Sequence, residues 1–207
     1  MHRRVVLASS SRYRAEMLSQ AGWEAVIDPP GIDERALDDE LGRLGADGLA
    51  LELARRKAMA VTSRHADAVV IAGDQVGVVD GPGRGAQMLT KQPTALGAVD
   101  QLMAMSGTTH ELVNGLVLVD TATARSAEGV DRQLVTMRRF DRSEAEEYIE
   151  RFQPFDSSGS YRLEDQPSMA PLEPFVVDVV GEDPSGVLGL PLPLLARLMA
   201  QLGIVAP

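Results

Sequence analysis

The sequence predicts an α/β fold, and three features predict it. Short apolar runs alternate with helical periods through the first hundred or so positions, as Val5–Ala8 and Ala68–Ala72 show. Two long strand-like runs, His110–Val119 and Gln133–Phe140, are separated only by a polar loop, which suits an antiparallel pair. A last strand, Phe175–Val180, leads through a glycine- and proline-rich turn into a closing helix over Leu192–Leu202. Parallel-type and hairpin-type connections are therefore mixed.

Taken in order, Val5–Ala8 reads as a buried strand, followed by Ser9, Ser10 and Ser11 and then a helix with Met17, Leu18 and Ala21 on one face. Glu24–Asp28 reads as a second strand, stopped by Pro29-Pro30-Gly31, with Ile32-Asp33-Glu34 in a loop. Asp47–Arg64 has a helical period, with Leu49, Leu53, Ala54, Ala58 and Val61 inward. Ala68–Ala72 is continuous enough for a central strand, with Asp74-Gln75 just past its end and Val76–Val79 as a possible continuation. Asp80–Gly83 reads as a turn, and Thr94–Met105 as a helix stopped by Ser106-Gly107. Ser143–Glu146 has the spacing of a capping box for a helix ending at Arg151, and Pro154–Asp165 reads as a loop.

The 207 residues suit one domain or two small lobes with a real core. A formal net charge of −10 argues against gripping a nucleic acid polymer along its backbone. No cysteine is present, which excludes disulfides, thiolate metal sites and a cysteine nucleophile. The apolar run after the basic start is too short for a signal peptide, and no stretch has the length of a membrane span. A cytoplasmic protein without membrane contact is expected.

The stretch Val5–Leu18 is where chemistry is expected. A strand that feeds a helix through serines leaves backbone N–H groups directed at an anion. Arg12 and Arg14 in the first helical turn run against the usual dipole preference, and a shared anion explains them. A serine N-cap with solvated arginines explains the same residues. Asp74, at the carboxyl end of a buried strand, stands where open α/β sheets place ligands, although a turn aspartate would look alike. Glu34 is a second carboxylate, and such a pair suits Mg²⁺ or Mn²⁺ bridging to phosphate. Lys57, beside an apolar helix face, and Lys91, just before a helix, are matching cations; each alone reads equally as an exposed lysine. No P-loop pattern occurs.

These residues stand in a familiar order. The chain resembles the Maf family of nucleoside triphosphate pyrophosphatases over nearly its whole length. The likeness is carried by LASSSRYRAEML, by IDE at Ile32–Glu34, by ARRKA at Ala54–Ala58 and by VVIAGDQV at Val69–Val76. TKQP at Thr90–Pro93, LMAMSGTTHELVNGLVL at Leu102–Leu118 and GVLGLPLPLL at Gly186–Leu195 continue it. The resemblance implies a single Maf-like domain over residues 1–207, with a mixed, elongated sheet, flanking helices and two lobes around a central cleft (Maf/ITPase-like). It implies metal-dependent hydrolysis of a nucleoside triphosphate to the monophosphate and pyrophosphate, and a homodimer. Ser9, Ser11 and Arg14 would hold the triphosphate with Lys57 and Lys91. Glu34 and Asp74 would serve a divalent cation, and Asp74 matches the family's general base. Tyr13, Gln75 and Glu164 would complete the substrate site.

Four departures stand out. Arg12 replaces the family proline, Tyr13 replaces an arginine, TKQP replaces GKP, and Asp74-Gln75 replaces Asp-Thr. The Gln75 form, Tyr13 and GSYRLE at Gly159–Glu164 resemble the branch acting on 7-methyl-GTP. A glutamate accepts twice, which suits the N1–H and N2–H₂ edge of guanine, whereas a glutamine suits uracil or thymine. A methylated guanine carries positive charge that Tyr13 or Tyr161 could stack against. A dTTP- or UTP-specific pyrophosphatase and a nucleotide-binding regulator of septum formation without strong catalysis are the other readings. So is a plain α/β interaction domain. The acidic balance also predicts dependence on a divalent cation, since protein and substrate otherwise repel.

Overall fold

The computed structural model describes residues 3–81 and 85–205. Among the described residues seven strands and five α-helices alternate with 3-10 turns. They are β1 (Arg4–Leu7), α1 (Arg12–Gln20), β2 (Ala25–Ile27), α2 (Leu41–Thr62), β3 (Ala68–Gly81), β4 (Gly85–Leu89) and α3 (Ala95–Met105). After these come β5 (Thr109–Asp120), β6 (Arg125–Met137), α4 (Arg142–Phe152), β7 (Val176–Val180) and α5 (Leu192–Gln201). The strands form one sheet in the order β2-β1-β3-β5-β6-β7, with β4 paired to β3. The sheet is mixed: β1 runs parallel to β2 and β3, while β4 lies antiparallel to β3 and β7 antiparallel to β6. The mixed α/β class expected from the sequence is the one observed.

The chain divides into two compact units. The first comprises residues 1–76, 113–132 and 181–207, and the second comprises 77–112 and 133–180. In the first unit, alternate residues of β1 and β3 face opposite layers. Val5, Leu7, Val69 and Ile71 join Leu116, Leu118 and the inner faces of α1 and α5. Val6, Ala8, Val70 and Ala72 pack with Ala54, Ala58 and Val61 of α2. Strands covered on both faces have to be apolar throughout, which is why these runs are continuous. In the second unit α3 packs on α4. There Phe140 stacks on Phe175 with centroids 4.1 Å apart, and Tyr148 meets Phe175 edge-on at 5.3 Å.

Several boundaries differ from expectation for identifiable reasons. β3 does not stop before Asp74; it runs on through Gly81 because β4 keeps pairing with it, from Gly77↔Leu89 to Gly81↔Gly85. The polar residues at 73–75 thus lie inside a strand rather than past its end. β4 was not anticipated, and the turn expected at Asp80–Gly83 falls in part outside the described residues. β6 begins at Arg125, eight positions before the expected Gln133. The capping box sits two residues before the expected Ser143. Asp141 has extended backbone and accepts from the Glu144 N–H at 3.0 Å, while Glu144 accepts from the Asp141 N–H at 3.1 Å. Glu34 opens a 3-10 turn, Glu34–Glu40, instead of lying in a plain loop. The helical run of α2 is broken at Gly45 (φ +66), so its inward-facing part starts close to the expected Asp47.

Candidate active site

β1 pairs with β3 as far as Leu7↔Ile71, and Ala8 N–H still donates to Ile71 O at 2.8 Å. Beyond that point the chain leaves β1 and turns through the serines into α1, while β3 continues. Asp74 lies three residues further along β3. It therefore sits at the carboxyl end of the parallel pair even though its own strand has not ended, which is the place a ligand occupies in such sheets.

Ser11 caps α1, its hydroxyl accepting from the Arg14 N–H at 3.4 Å. Ser9 Oγ accepts from the Ser11 N–H at 3.1 Å and from Arg14 NH1 at 3.3 Å. A hydroxyl has two lone pairs and one proton, so Ser9 is left with its O–H as a donor. The Arg14 guanidinium is buried and also donates from Nε to Gly189 O at 2.8 Å. Gly189 adopts φ +89, and a Cβ there would lie 3.4 Å from Arg14 NH2. Burial draws the Arg14 pKa below its usual value, and the carboxylates of Asp74 and Glu34 oppose that. The group stays cationic nonetheless.

Lys57 belongs to the inward face of α2 and is 4% exposed. Its ammonium is held between two carboxylates, bonding directly to Asp74 Oδ1 and lying 2.8 Å from Glu34 Oε1. Asp74 is buried as well, whereas the Glu34 side chain is half open to solvent. A buried ammonium is tolerated only when paired in this way. Gly73 lies beside the cluster, where an added Cβ would be in ordinary contact with Arg14 Nε at 3.8 Å. Ser9, Ser11, Arg14, Glu34, Lys57 and Asp74 are thus brought together in the first unit.

The carboxylates fit a hard divalent cation. Two oxygen donors converge on one ammonium, with no thiolate or imidazole among them. Among the described residues no three His, Asp or Glu side chains form a metal cage. A pair of carboxylates supplemented by phosphate oxygens and water is the usual way Mg²⁺ is held.

Tyr13 is half-buried, and the Arg12 guanidinium lies 5.9 Å from its ring centroid. Gln75 turns its amide nitrogen inward, towards Asn114 Oδ1 at 3.1 Å, Gly186 O at 3.0 Å and Val187 O at 3.1 Å. Two hydrogens are shared among three acceptors, so any contact with a ligand falls to the Gln75 carbonyl oxygen. Asn114 extends this network, donating to Gly186 O at 2.8 Å and to Asp131 Oδ2 at 3.1 Å. Sequence reasoning missed both Asn114 and Asp131. The signal for Asn114 was a polar side chain within the apolar run of β5, which has to find a partner; Asp131, on β6, is one such partner.

Lys91 and Glu164 belong to the second unit. Both are exposed, and neither bonds to a described side chain. Tyr161 does not offer a stacking face. It is 5% exposed, its hydroxyl lies 2.8 Å from His110 Nε2, and the two rings meet edge-on at 5.5 Å. Burial lowers the His110 pKa to about 4, so the imidazole is neutral. A cavity of about 470 Å³ over α3 and α4, with Leu96, Val99, Ile149 and Phe155 in its wall, contains none of the expected site residues. Among the described residues no helix is long and apolar enough to cross a membrane.

Comparison with known proteins identifies the family. A family model described as Maf-like protein matches residues 4–202. A 7-methyl-GTP pyrophosphatase of Nitrosococcus oceani is 37% identical over 96% of this chain and 93% of its own length. One from Alcanivorax borkumensis is 32% identical over 98% and 96%. A nucleoside triphosphate pyrophosphatase of Corynebacterium diphtheriae is 34% identical over 96% and 94%. With a family model matched from residue 4 to residue 202 and relatives 32–37% identical over nearly the whole chain, the chain belongs to the Maf family.

Proposed function

We propose that the protein is a metal-dependent nucleoside triphosphate pyrophosphatase whose preferred substrate is 7-methyl-GTP. The observation that carries this reading is the Lys57 ammonium held by Asp74 and Glu34 beside the buried Arg14–Ser9 pair. Hydrolysis at the α-phosphorus breaks the α–β anhydride bond and yields the monophosphate and pyrophosphate. It needs a positioned water, a base, and positive charge where the phosphoryl oxygens gain negative charge. Asp74 takes the proton from the water. Ser9 donates its free O–H, Ser11 stands at the N-terminus of α1, and Arg14, Lys57 and Lys91 supply charge to the phosphates. Glu34 and Asp74 would hold a Mg²⁺ or Mn²⁺ ion, which would supply Lewis-acid polarisation and charge neutralisation. The two cations and two carboxylates of the cluster balance each other, so a polyphosphate adds uncompensated charge that such a cation offsets.

For the base, Glu164 provides two acceptors for the guanine edge, and Tyr13 provides a ring for the positively charged methylated base. Gln75 offers its carbonyl oxygen. The naming of the relatives from Nitrosococcus and Alcanivorax supports this choice over a pyrimidine substrate. A homodimer, implied by the family pattern, and a cytoplasmic location, expected from the sequence, belong to the same proposal.

The test is pyrophosphate release from 7-methyl-GTP, GTP, UTP, dTTP and CTP with Mg²⁺ or Mn²⁺. Turnover led by 7-methyl-GTP and abolished by a chelator is expected. Turnover led by UTP or dTTP keeps the chemistry and removes the base assignment. Turnover indifferent to chelator removes the metal assignment, and none at all favours a nucleotide-binding regulator. In the same assay Glu164→Gln should shift the kcat/KM ratio of 7-methyl-GTP to UTP towards UTP by at least about tenfold, the worth of one hydrogen bond to a charged group. An unchanged ratio would rule out a base-reading Glu164.

A further inference from the structure

Lys91 and Glu164 lie on separate segments of the second unit, and neither segment is held by the side chain that would meet the substrate. What holds both is Gln101, on α3. Pairing between β4 and β3 ends at Leu89↔Gly77, and the next residue, Thr90, turns to the Gln101 side chain instead. Gln101 Oε1 accepts from the Thr90 N–H at 3.0 Å and from Gln92 Nε2 at 3.1 Å. Gln101 Nε2 donates to Thr90 O at 3.0 Å, to Ser158 O at 2.8 Å and to Ser160 Oγ at 2.7 Å. An amide has two hydrogens and two lone pairs, so every bonding position of this side chain is used inside the protein. Gln101 closes Thr90 as a neighbouring strand would, and with the same group grips the turn at 158–160.

That turn is rigid in its own right. Ser160 is buried with φ +57, a conformation a serine keeps only when its surroundings over-determine it. A Cβ on Gly159 would lie 2.7 Å from the Tyr161 ring, which His110 anchors from behind. Beyond it, the Arg162 N–H donates to Tyr148 Oη at 3.0 Å, and Tyr148 Oη donates to Asp165 at 2.7 Å. Glu164 is thereby pinned on either side, in the 3-10 turn Leu163–Ser168. The segment carrying Lys91 is anchored through Gln101: Thr90 gives both backbone groups to it, and Gln92 Nε2 bonds to Gln101 Oε1 and to Thr90.

We propose that Gln101 is a positioning residue that couples the phosphate-side Lys91 to the base-reading Glu164, so that the two ends of the nucleotide are not recognised independently. The proposal rests on the pyrophosphatase reading above. It follows that a substrate with the wrong base should lower kcat as well as raise KM, because a base misplaced against the fixed Glu164 also misplaces its phosphates against Lys91.

The experiment is a double-mutant cycle of Lys91→Ala and Glu164→Gln, measured with 7-methyl-GTP in the native chain and again with Gln101→Met. Amide hydrogen exchange at Thr90 and at 157–161 is followed in each protein. In the native background the two substitutions should deviate from additivity in kcat/KM by at least about threefold, the lower range for coupled sites. With Gln101→Met the deviation should vanish, and exchange should rise in both segments. Gln101→Glu keeps the acceptor for the Thr90 N–H and loses the donors to Thr90 O, Ser158 O and Ser160 Oγ, so exchange should rise more at 157–161 than at Thr90; it carries the cycle if the methionine variant does not fold. Unchanged exchange in both variants overturns the proposal. So does additivity in the native chain, or coupling that survives loss of Gln101. If the native chain turns over no nucleotide, the function reading fails and the coupling with it; turnover with additive effects defeats the coupling alone.

Discussion

Asp74→Asn is expected to lower turnover by at least about 10³-fold while the chain stays folded, because on the proposed mechanism the substitution removes the general base together with a ligand of the divalent cation. The asparagine has the same shape, and its carbonyl oxygen can still accept from Lys57. What disappears is the charge and the proton affinity. Lys57 is 4% exposed and would be costly to leave unpaired, yet it keeps Glu34 at 2.8 Å. The stability loss should therefore stay below the roughly 3–5 kcal/mol that follows when a buried ion is stranded. Pyrophosphate release at saturating 7-methyl-GTP, with a thermal melt of the same sample, separates the two effects. A variant that melts like the native protein and retains more than about a tenth of its turnover would remove Asp74 from the chemistry, since general-base catalysis alone contributes at least 10²-fold.

Much of this site was legible before any coordinates, and the reason is local. Ser9, Ser11 and Arg14 fall within six residues, so a strand-to-helix turn alone brings them together. Asp74 was marked by the end of an apolar run, although the strand itself continues; what ends there is the pairing with β1, which no property of residues 73–75 reveals. The partnership of Lys57 with both Asp74 and Glu34 depends on where α2 lies on the sheet, so spacing alone could not show it. Gln75, which the family pattern assigns to the substrate site, has its amide nitrogen drawn inward by acceptors from 114, 186 and 187, contacts that no spacing reveals. Tyr161 was read as a stacking surface, and burial against His110 removes it from that role. Gln101 carried no signal at all, because a glutamine on a helix is ordinarily solvated. In each case what was missed is a tertiary contact, and what was legible is a short-range pattern.

Gly115→Ala is expected to destabilise the protein by about 3 kcal/mol or more, at or beyond the upper end of ordinary overpacking. A Cβ at Gly115 would lie 2.4 Å from both the carbonyl carbon and the carbonyl oxygen of Ala50, and 2.6 Å from the nitrogen of Leu51. All three atoms are backbone, so no rotamer change relieves the contact. Either β5 or α2 has to retreat. Ala50 precedes Lys57 by two helical turns on the same inward face, with Leu53 and Ala54 between them. Moving α2 outward at Ala50 therefore draws Lys57 away from Asp74 and opens the layer formed by Ala54, Ala58 and Val61 against the sheet. The melting temperature should fall by about 6–12 °C, at 2–4 °C per kcal/mol for a chain of this size. Turnover should fall too, measured well below the new transition where the variant is folded. Gly73→Ala is the informative contrast: its Cβ would meet a Leu116 side-chain methyl at 3.2 Å, which can give way, so its stability loss should be smaller. Equal melting temperatures for the Gly115 variant and the native chain would mean that α2 has slack against β5, and that Lys57 is placed by its ion pairs rather than by the packing of its helix.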